Sequence, residues 1–212
     1  MVKVLGVDEA GRGPVIGPLV LAGVMLEESK VNRILKEAKD SKKLTKKKRE
    51  ELYKEFIKST KYKIVIVDPP EIDEALRSDT LNLNWLEAHK TAEIINALQP
   101  DEAYIDSPSP NAEKYKGYLR NLLRNKDIVL YVGHKMEDKS KLVAAASVIA
   151  KVTRDNKIEE IKKKYGDIGP GYMSNPTTQK FLEENWDKHP EIFRKTWISW
   201  KNHKTKKEQK SL

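Results

Sequence analysis

The chain contains no cysteine, which excludes a disulfide framework and any thiolate metal site and fits a reducing cytosol. It also lacks a membrane-length apolar run. The longest such stretch, Pro14 to Leu26, is broken by Gly17, Pro18 and Gly23 and falls short of the roughly 20 residues a spanning helix needs. A secretory signal is not expected, because no basic cluster precedes an apolar core before Asp8 and Glu9. Gly11, Gly13 and Gly17 make no dinucleotide fingerprint, since an apolar strand rather than a helix follows them, and there is no P-loop. His89, His134, His189 and His203 are not spaced for a metal-binding helix or a catalytic triad and read as surface or packing residues.

What the chain has in quantity is charge. Of 212 residues, 34% are charged, and 41 Lys and Arg outnumber 32 Asp and Glu for a net charge of +9. Apolar runs recur throughout, so the chain folds rather than remaining disordered. The basic balance favours a polyanionic partner such as nucleic acid or an anionic membrane surface. A Lys- and Glu-rich surface of a heat-adapted protein explains it as well. The length predicts one main domain, here 1–165, plus a helical C-terminal extension over 166–212 that ends in a fraying basic tail from Lys204.

Hydrophobic patterning predicts strands over 2–7, 19–26, 62–67, 103–106 and 128–132. It predicts helices over 30–38, from the Thr45 cap through Ser59, and over 70–76, 82–98, 111–123, 141–165, 178–187 and 197–206. Three strands in sequence, followed by helices alternating with two more, imply an α/β or α+β sheet with helices on its faces.

Acids at strand ends carry the chemistry. Asp8 and Glu9 close the first strand, where two adjacent carboxylates repel each other yet can both reach one site; an exposed acidic turn reads the same way. Asp106 closes another short strand before Ser107-Pro108-Ser109-Pro110, although helix capping would also place it there. Carboxylates at neighbouring strand ends converge on one sheet edge. Oxygen-only donors select a hard cation, magnesium first. Glu137 and Asp138 precede a helix containing Ala144-Ala145-Ala146-Ser147, whose small residues permit close packing; complementing the helix dipole explains these acids equally. Ser41-Lys42-Lys43 suits backbone phosphates, and Gly169-Pro170-Gly171-Tyr172 offers an aromatic face for a sugar or base. A solvated lysine run and a tyrosine packed under its loop are the plainer alternatives. Trp197 and Trp200 read as anchors of the C-terminal helix.

Taken together, these segments resemble the ribonuclease HII family. Gly6-Val7-Asp8-Glu9-Ala10-Gly11-Arg12-Gly13-Pro14 resembles its opening motif, and Asp40-Ser41-Lys42-Lys43-Leu44 its phosphate loop. Tyr104-Ile105-Asp106-Ser107 is similar to its central aspartate segment. Ala144 through Asp155 resembles its helix motif, and Gly169-Pro170-Gly171-Tyr172 with Pro176-Thr177-Thr178 its C-terminal loop. The modest length and His134-Lys135 resemble the archaeal branch. The resemblance implies a ribonuclease H-like fold, a five-stranded mixed sheet flanked by helices with a helical C-terminal extension. It implies an endoribonuclease that uses Mg2+ or Mn2+ on RNA–DNA hybrids and on ribonucleotides in duplex DNA, expected to be cytoplasmic and monomeric; whether it has a replication clamp partner is left open by the sequence.

The resemblance also implies catalytic, metal-binding carboxylates at Asp8, Glu9, Asp106 and Glu137. The family usually has Lys-Ala-Asp where Lys135-Met136-Glu137 stands, and an ungapped count favours Glu137; Asp138 fits only if the loop shifts by one residue. Substrate binding is implied for Gly11, Arg12, Gly13, Ser41, Lys42, Lys43, Ser147 and Tyr172. Of these, the Gly-Arg-Gly backbone and the tyrosine read the ribonucleotide 2′-hydroxyl, the group that tells RNA from DNA.

Overall fold

The computed structural model describes residues 1–38 and 44–210, except the side chains of 207, 208 and 210. The expected phosphate loop, with Ser41, Lys42 and Lys43, lies outside the described residues. Strands β1 (Lys3–Ala10), β2 (Leu19–Glu27), β3 (Lys61–Val67), β4 (Glu102–Asp106) and β5 (Val129–Gly133) form one sheet in the order β3-β2-β1-β4-β5. β1 is antiparallel to β2 and parallel to β4, which is parallel to β5. The sheet is therefore mixed, as the sequence implies.

The helices are α1 (Glu28–Ile34), α2 (Lys46–Ser59), α3 (Pro69–Arg77), α4 (Leu83–Leu98), α5 (Ala112–Leu122), α6 (Met136–Lys139), α7 (Lys141–Tyr165), α8 (Pro176–Asn185) and α9 (Ile198–Lys210). Side-chain oxygens set several starts: Thr45, Asn111 and Asn175 accept the backbone N–H of Lys48, Lys114 and Thr178, satisfying donors that have no partner inside the helix. Proline opens α3 and α8, where its missing N–H costs nothing. Among the described residues, no helix is long and apolar enough to cross a membrane.

Two compact units emerge, each discontinuous in sequence. The first gathers residues 1–10, 20–65 and 84–153, and the second 11–19, 66–83 and 154–212. In the first, alternation along β1 sends Leu5 and Val7 to one face and Gly6 and Asp8 to the other. α4 covers the first face: a Cβ at Gly23, opposite Val7, would meet Ile94 and lie 3.2 Å from Leu5 and 3.5 Å from Leu98. α7 covers the second so closely that a Cβ at Gly6 would overlap the backbone of Leu142 and Val143. Ala144, Ala145 and Ala146 are fully buried there, so small residues on both partners bring helix and strand together.

The second unit packs Val15, Ile16, Ile158, Ile168, Phe181, Leu182, Ile192 and Phe193 into one core, with Trp186, Trp197 and Trp200 partly buried against it. Several elements depart from the sequence reading, among them β1, which runs on through Asp8 and Glu9 to Ala10, and α8, which begins and ends two residues early. α1 begins and ends earlier than expected, and the single turn of α6 is new. The tail from Lys204 is helical, α9 continuing to Lys210. Ring contacts of Trp186 with Trp200 at 6.0 Å and with His203 at 6.2 Å hold that helix to the core.

Candidate active site

One candidate site lies in the first unit, where β4 ends at Asp106 beside β1, which runs on to Ala10. Val7 pairs with Ile105 in parallel register, so the next residues, Asp8 and Asp106, lie on neighbouring strands at the same level. Strand alternation puts both on the α7 face. Asp8 is 7% exposed, and Ser147 of α7 donates its hydroxyl to the carboxylate. The close approach at Gly6 delivers that hydroxyl. Asp8 also accepts the Glu9 backbone N–H at 2.8 Å.

Those two hydrogen bonds do not offset the surroundings. Burial pushes the Asp8 carboxyl well above the usual carboxylate range, and the charges of Glu9 and then Asp106 push it further. Desolvation and like charges both disfavour the ionised form. A polypeptide gains nothing in stability from such crowding; a cation placed there reverses its sign.

Asp106 is fixed from β5's side of the sheet. The chain turns after Gly133 through Lys135, held at φ 55° and ψ 43°, and the Met136 N–H donates to Asp106 Oδ1 at 2.8 Å. Glu137 follows immediately and is 6% exposed, whereas Asp138 is exposed. Of the two acids left open by the sequence, the inward one is Glu137. The oxygen-only donor set and the excess of negative charge fit a hard divalent cation. Among the described residues, no three carboxylate or imidazole groups lie close enough together to hold an ion as they stand.

A second candidate site lies within the second unit, around the turn Gly11-Arg12-Gly13. Gly11 adopts φ +84°, and a Cβ there would overlap the Arg154 side chain and lie 2.7 Å from the Pro18 oxygen. The fold itself demands glycine at that position. Gly13 differs: its φ is not positive, and the nearest atom to a Cβ would be Tyr172 Cε1 at 3.8 Å. The Tyr172 ring therefore flanks the turn, 36% exposed.

Arg154, 1% exposed, sets its guanidinium 5.2 Å from that ring's centroid and donates to the Pro170 oxygen at 3.1 Å. Burial pushes the Arg154 pKa down. Thr178 accepts the Gly171 N–H at 3.1 Å and donates to the Ile168 oxygen at 2.8 Å, which braces the loop carrying Tyr172.

Asp8, Glu9, Asp106, Glu137 and Ser147 thus belong to one unit, and Gly11, Arg12, Gly13 and Tyr172 to the other. Ser147, expected at the substrate, bonds the Asp8 carboxylate. Sequence reasoning missed Arg154 and Arg194 as organisers of the turn. Among so many Lys and Arg, nothing local in the sequence marks Arg194.

The family model for "Ribonuclease HII" matches residues 5–202. The ribonuclease HII of Pyrococcus abyssi is 44% identical over 202 residues, 92% of this chain and 88% of that protein. The crystal structure of the ribonuclease H2 from Pyrococcus horikoshii OT3 superposes with a TM-score of 0.88 at 38% identity, over 96% of this chain and 98% of that one. The Archaeoglobus fulgidus ribonuclease HII, solved in a complex with PCNA, gives a TM-score of 0.82 at 40% identity, over 92% and 95% of the two chains. The match spans the sheet, the acids at its edge and the glycine turn alike; the chain belongs to the ribonuclease HII family, a divalent-metal-dependent ribonuclease H hydrolase acting on RNA–DNA hybrids.

Proposed function

We propose that the chain cuts the RNA strand of RNA–DNA hybrids, and single ribonucleotides embedded in duplex DNA, by two-metal hydrolysis that leaves a 5′-phosphate and a 3′-hydroxyl. One observation carries this reading: Asp8 is buried on β1 beside the end of β4 and crowded by the charges of Glu9 and Asp106. Asp8, Glu9, Asp106 and Glu137 would hold Mg2+ or Mn2+.

Divalent ions bound there supply water activation and the positive charge that stabilises the leaving 3′-oxygen. The protein's own groups do the positioning. Ser147 orients Asp8, and the Met136 N–H orients Asp106. The Gly11-Arg12-Gly13 backbone and the Tyr172 ring receive the ribose bearing the 2′-hydroxyl, with Ser41, Lys42 and Lys43 on the backbone phosphates. Glycine at position 13 keeps the ring beside the turn accessible to a sugar.

A non-catalytic nucleic-acid-binding protein would not crowd carboxylates that repel phosphate, and another nuclease on this fold leaves Gly13 beside Tyr172 unexplained. Because the A. fulgidus relative is complexed with PCNA, we extend a sliding-clamp partner to this chain, together with cytoplasmic action as a monomer. The reading is tested on three duplexes: a long hybrid, DNA with one ribonucleotide, and all-DNA. Magnesium-dependent cutting of the first two only is expected. Equal cutting of all three, or activity that survives chelation, would refute it.

A further inference from the structure

We infer that Arg194 is the positioning residue that aims the amides of the Gly11–Gly13 turn at the ribonucleotide, an inference that rests on the proposed reading of the 2′-hydroxyl by that turn. Arg194 is fully buried, with 0% exposure. Its Nε donates to the Gly17 oxygen at 3.0 Å, Nη1 to the Arg12 oxygen at 2.9 Å and Nη2 to the Gly11 oxygen at 2.5 Å. One side chain thus collects three carbonyls of a segment some 180 residues earlier in the chain. Its guanidinium carbon lies 4.8 Å from the Trp197 ring centroid, and the Trp197 Nε1–H donates to the Gly13 oxygen at 3.1 Å. The backbone of Arg194 is fixed as well, its N–H donating to the Val15 oxygen at 2.8 Å.

The consequence follows from peptide geometry. No peptide bond here is cis, and in a trans peptide the carbonyl and the following N–H point in opposite directions. Drawing the oxygens of Gly11 and Arg12 onto Arg194 turns the N–H groups of Arg12 and Gly13 away from the guanidinium. A fixed cation behind the carbonyls holds that polarity, positive ends outward. Such preorganised donors suit an electronegative ligand atom because no reorientation is needed on binding. A planar, forked guanidinium presents its donors in fixed, diverging directions that match three carbonyls, whereas a lysine ammonium offers its three donors from one compact point on a flexible stem.

The test compares Arg194→Lys, Gly13→Ala and Leu182→Ala with wild type. Leu182 is 1% exposed in the same core and makes no contribution to the turn's hydrogen bonds in this account, so its truncation controls for lost stability. Two quantities are read: kcat/KM on DNA carrying one ribonucleotide, and the inhibition constant of the matched all-DNA duplex. Arg194→Lys is expected to lower kcat/KM at least tenfold while leaving the inhibition constant within about threefold. Leu182→Ala should lower Tm at least as much yet keep kcat/KM within about threefold. If Arg194→Lys does not fold, Arg194→Gln, which retains one donor group at similar reach, carries the same expectation.

Equal losses in Arg194→Lys and Leu182→Ala that track Tm would overturn the positioning role. Loss in Gly13→Ala with none in Arg194→Lys would overturn the role of Arg194 alone. Wild-type kcat/KM in Gly13→Ala would instead remove the reading of the turn on which the inference rests.

Discussion

The backbone N–H of Met136 donates to Oδ1 of Asp106 over 2.8 Å, tying the start of α6 to the end of β4. That single bond decides which acid turns inward. Glu137, next in the chain, is buried, while Asp138 faces solvent. Glu137→Gln is therefore expected to lose at least tenfold in kcat/KM, more than about 1.4 kcal/mol of transition-state stabilisation. Asp138→Asn should stay within about threefold of wild type. The two variants are compared on one embedded-ribonucleotide duplex across magnesium concentrations; the reverse order would place the ligand on Asp138.

Asp8→Asn should abolish cleavage and stabilise the fold at neutral pH, by an amount on the order of 1 kcal/mol. Two ionisations set the sign. In the unfolded chain Asp8 ionises near about 3.9, whereas in the folded protein burial, then Glu9 and Asp106, raise its pKa. Below the unfolded value both states are protonated and the variant gains little. As pH rises, the unfolded chain ionises first, so wild-type stability falls until Asp8 also ionises in the fold, and the penalty is full above that point. Denaturant melts at several pH values should show the Asn advantage growing from acid to neutral. An advantage that is constant or larger in acid would contradict this.

The two glycines of the turn should separate fold from function. Gly11→Ala forces an alanine to φ +84° against Arg154 and the Pro18 oxygen and should lower Tm clearly. A methyl at Gly13 meets nothing closer than 3.8 Å, so Gly13→Ala should melt like wild type yet lose more than about tenfold in activity, on the scale of a misplaced substrate. A large drop in Tm for Gly13→Ala would mean that glycine serves packing there.

Much of the catalytic edge is legible in the sequence because strands advertise themselves locally. Apolar runs end at Asp8 and Asp106, and parallel register does the rest. The small residues Ala144–Ala146 likewise mark a close contact in the sequence, whereas its partner Gly6 is identified by the structure. What is not legible depends on contacts remote in sequence. Arg194 meets Gly11 across a separation of 183, and nothing local distinguishes it from other basic residues. The αL turn at Lys135 lacks the glycine that would have announced it, so α6 went unforeseen. The start of α9 is held by Trp186 against Trp200 and His203, contacts that the polar local sequence does not announce.

Tyr172→Ala should harm single-ribonucleotide substrates more than long hybrids. A lone ribonucleotide has one register, whereas a hybrid offers many. Loss of a stacking ring is worth about 1–3 kcal/mol, roughly ten- to a hundredfold on the embedded substrate. Tyr172→Phe should be milder, since the ring rather than the hydroxyl faces Gly13 and Arg154. Steady-state kinetics on both substrates decide it; equal losses would make Tyr172 a packing residue.

The most direct test of the whole account is the chemistry of the cut ends. A duplex carrying one ribonucleotide, labelled at both ends, is incubated in magnesium with wild type and with Asp8→Asn, and the product termini are identified by mass. Hydrolysis at the carboxylate edge predicts a single nick with a 3′-hydroxyl and a 5′-phosphate from wild type, and none from Asp8→Asn. A 2′,3′-cyclic phosphate, or an undiminished nick from Asp8→Asn, would show that the ribose hydroxyl attacks without those carboxylates and would contradict it.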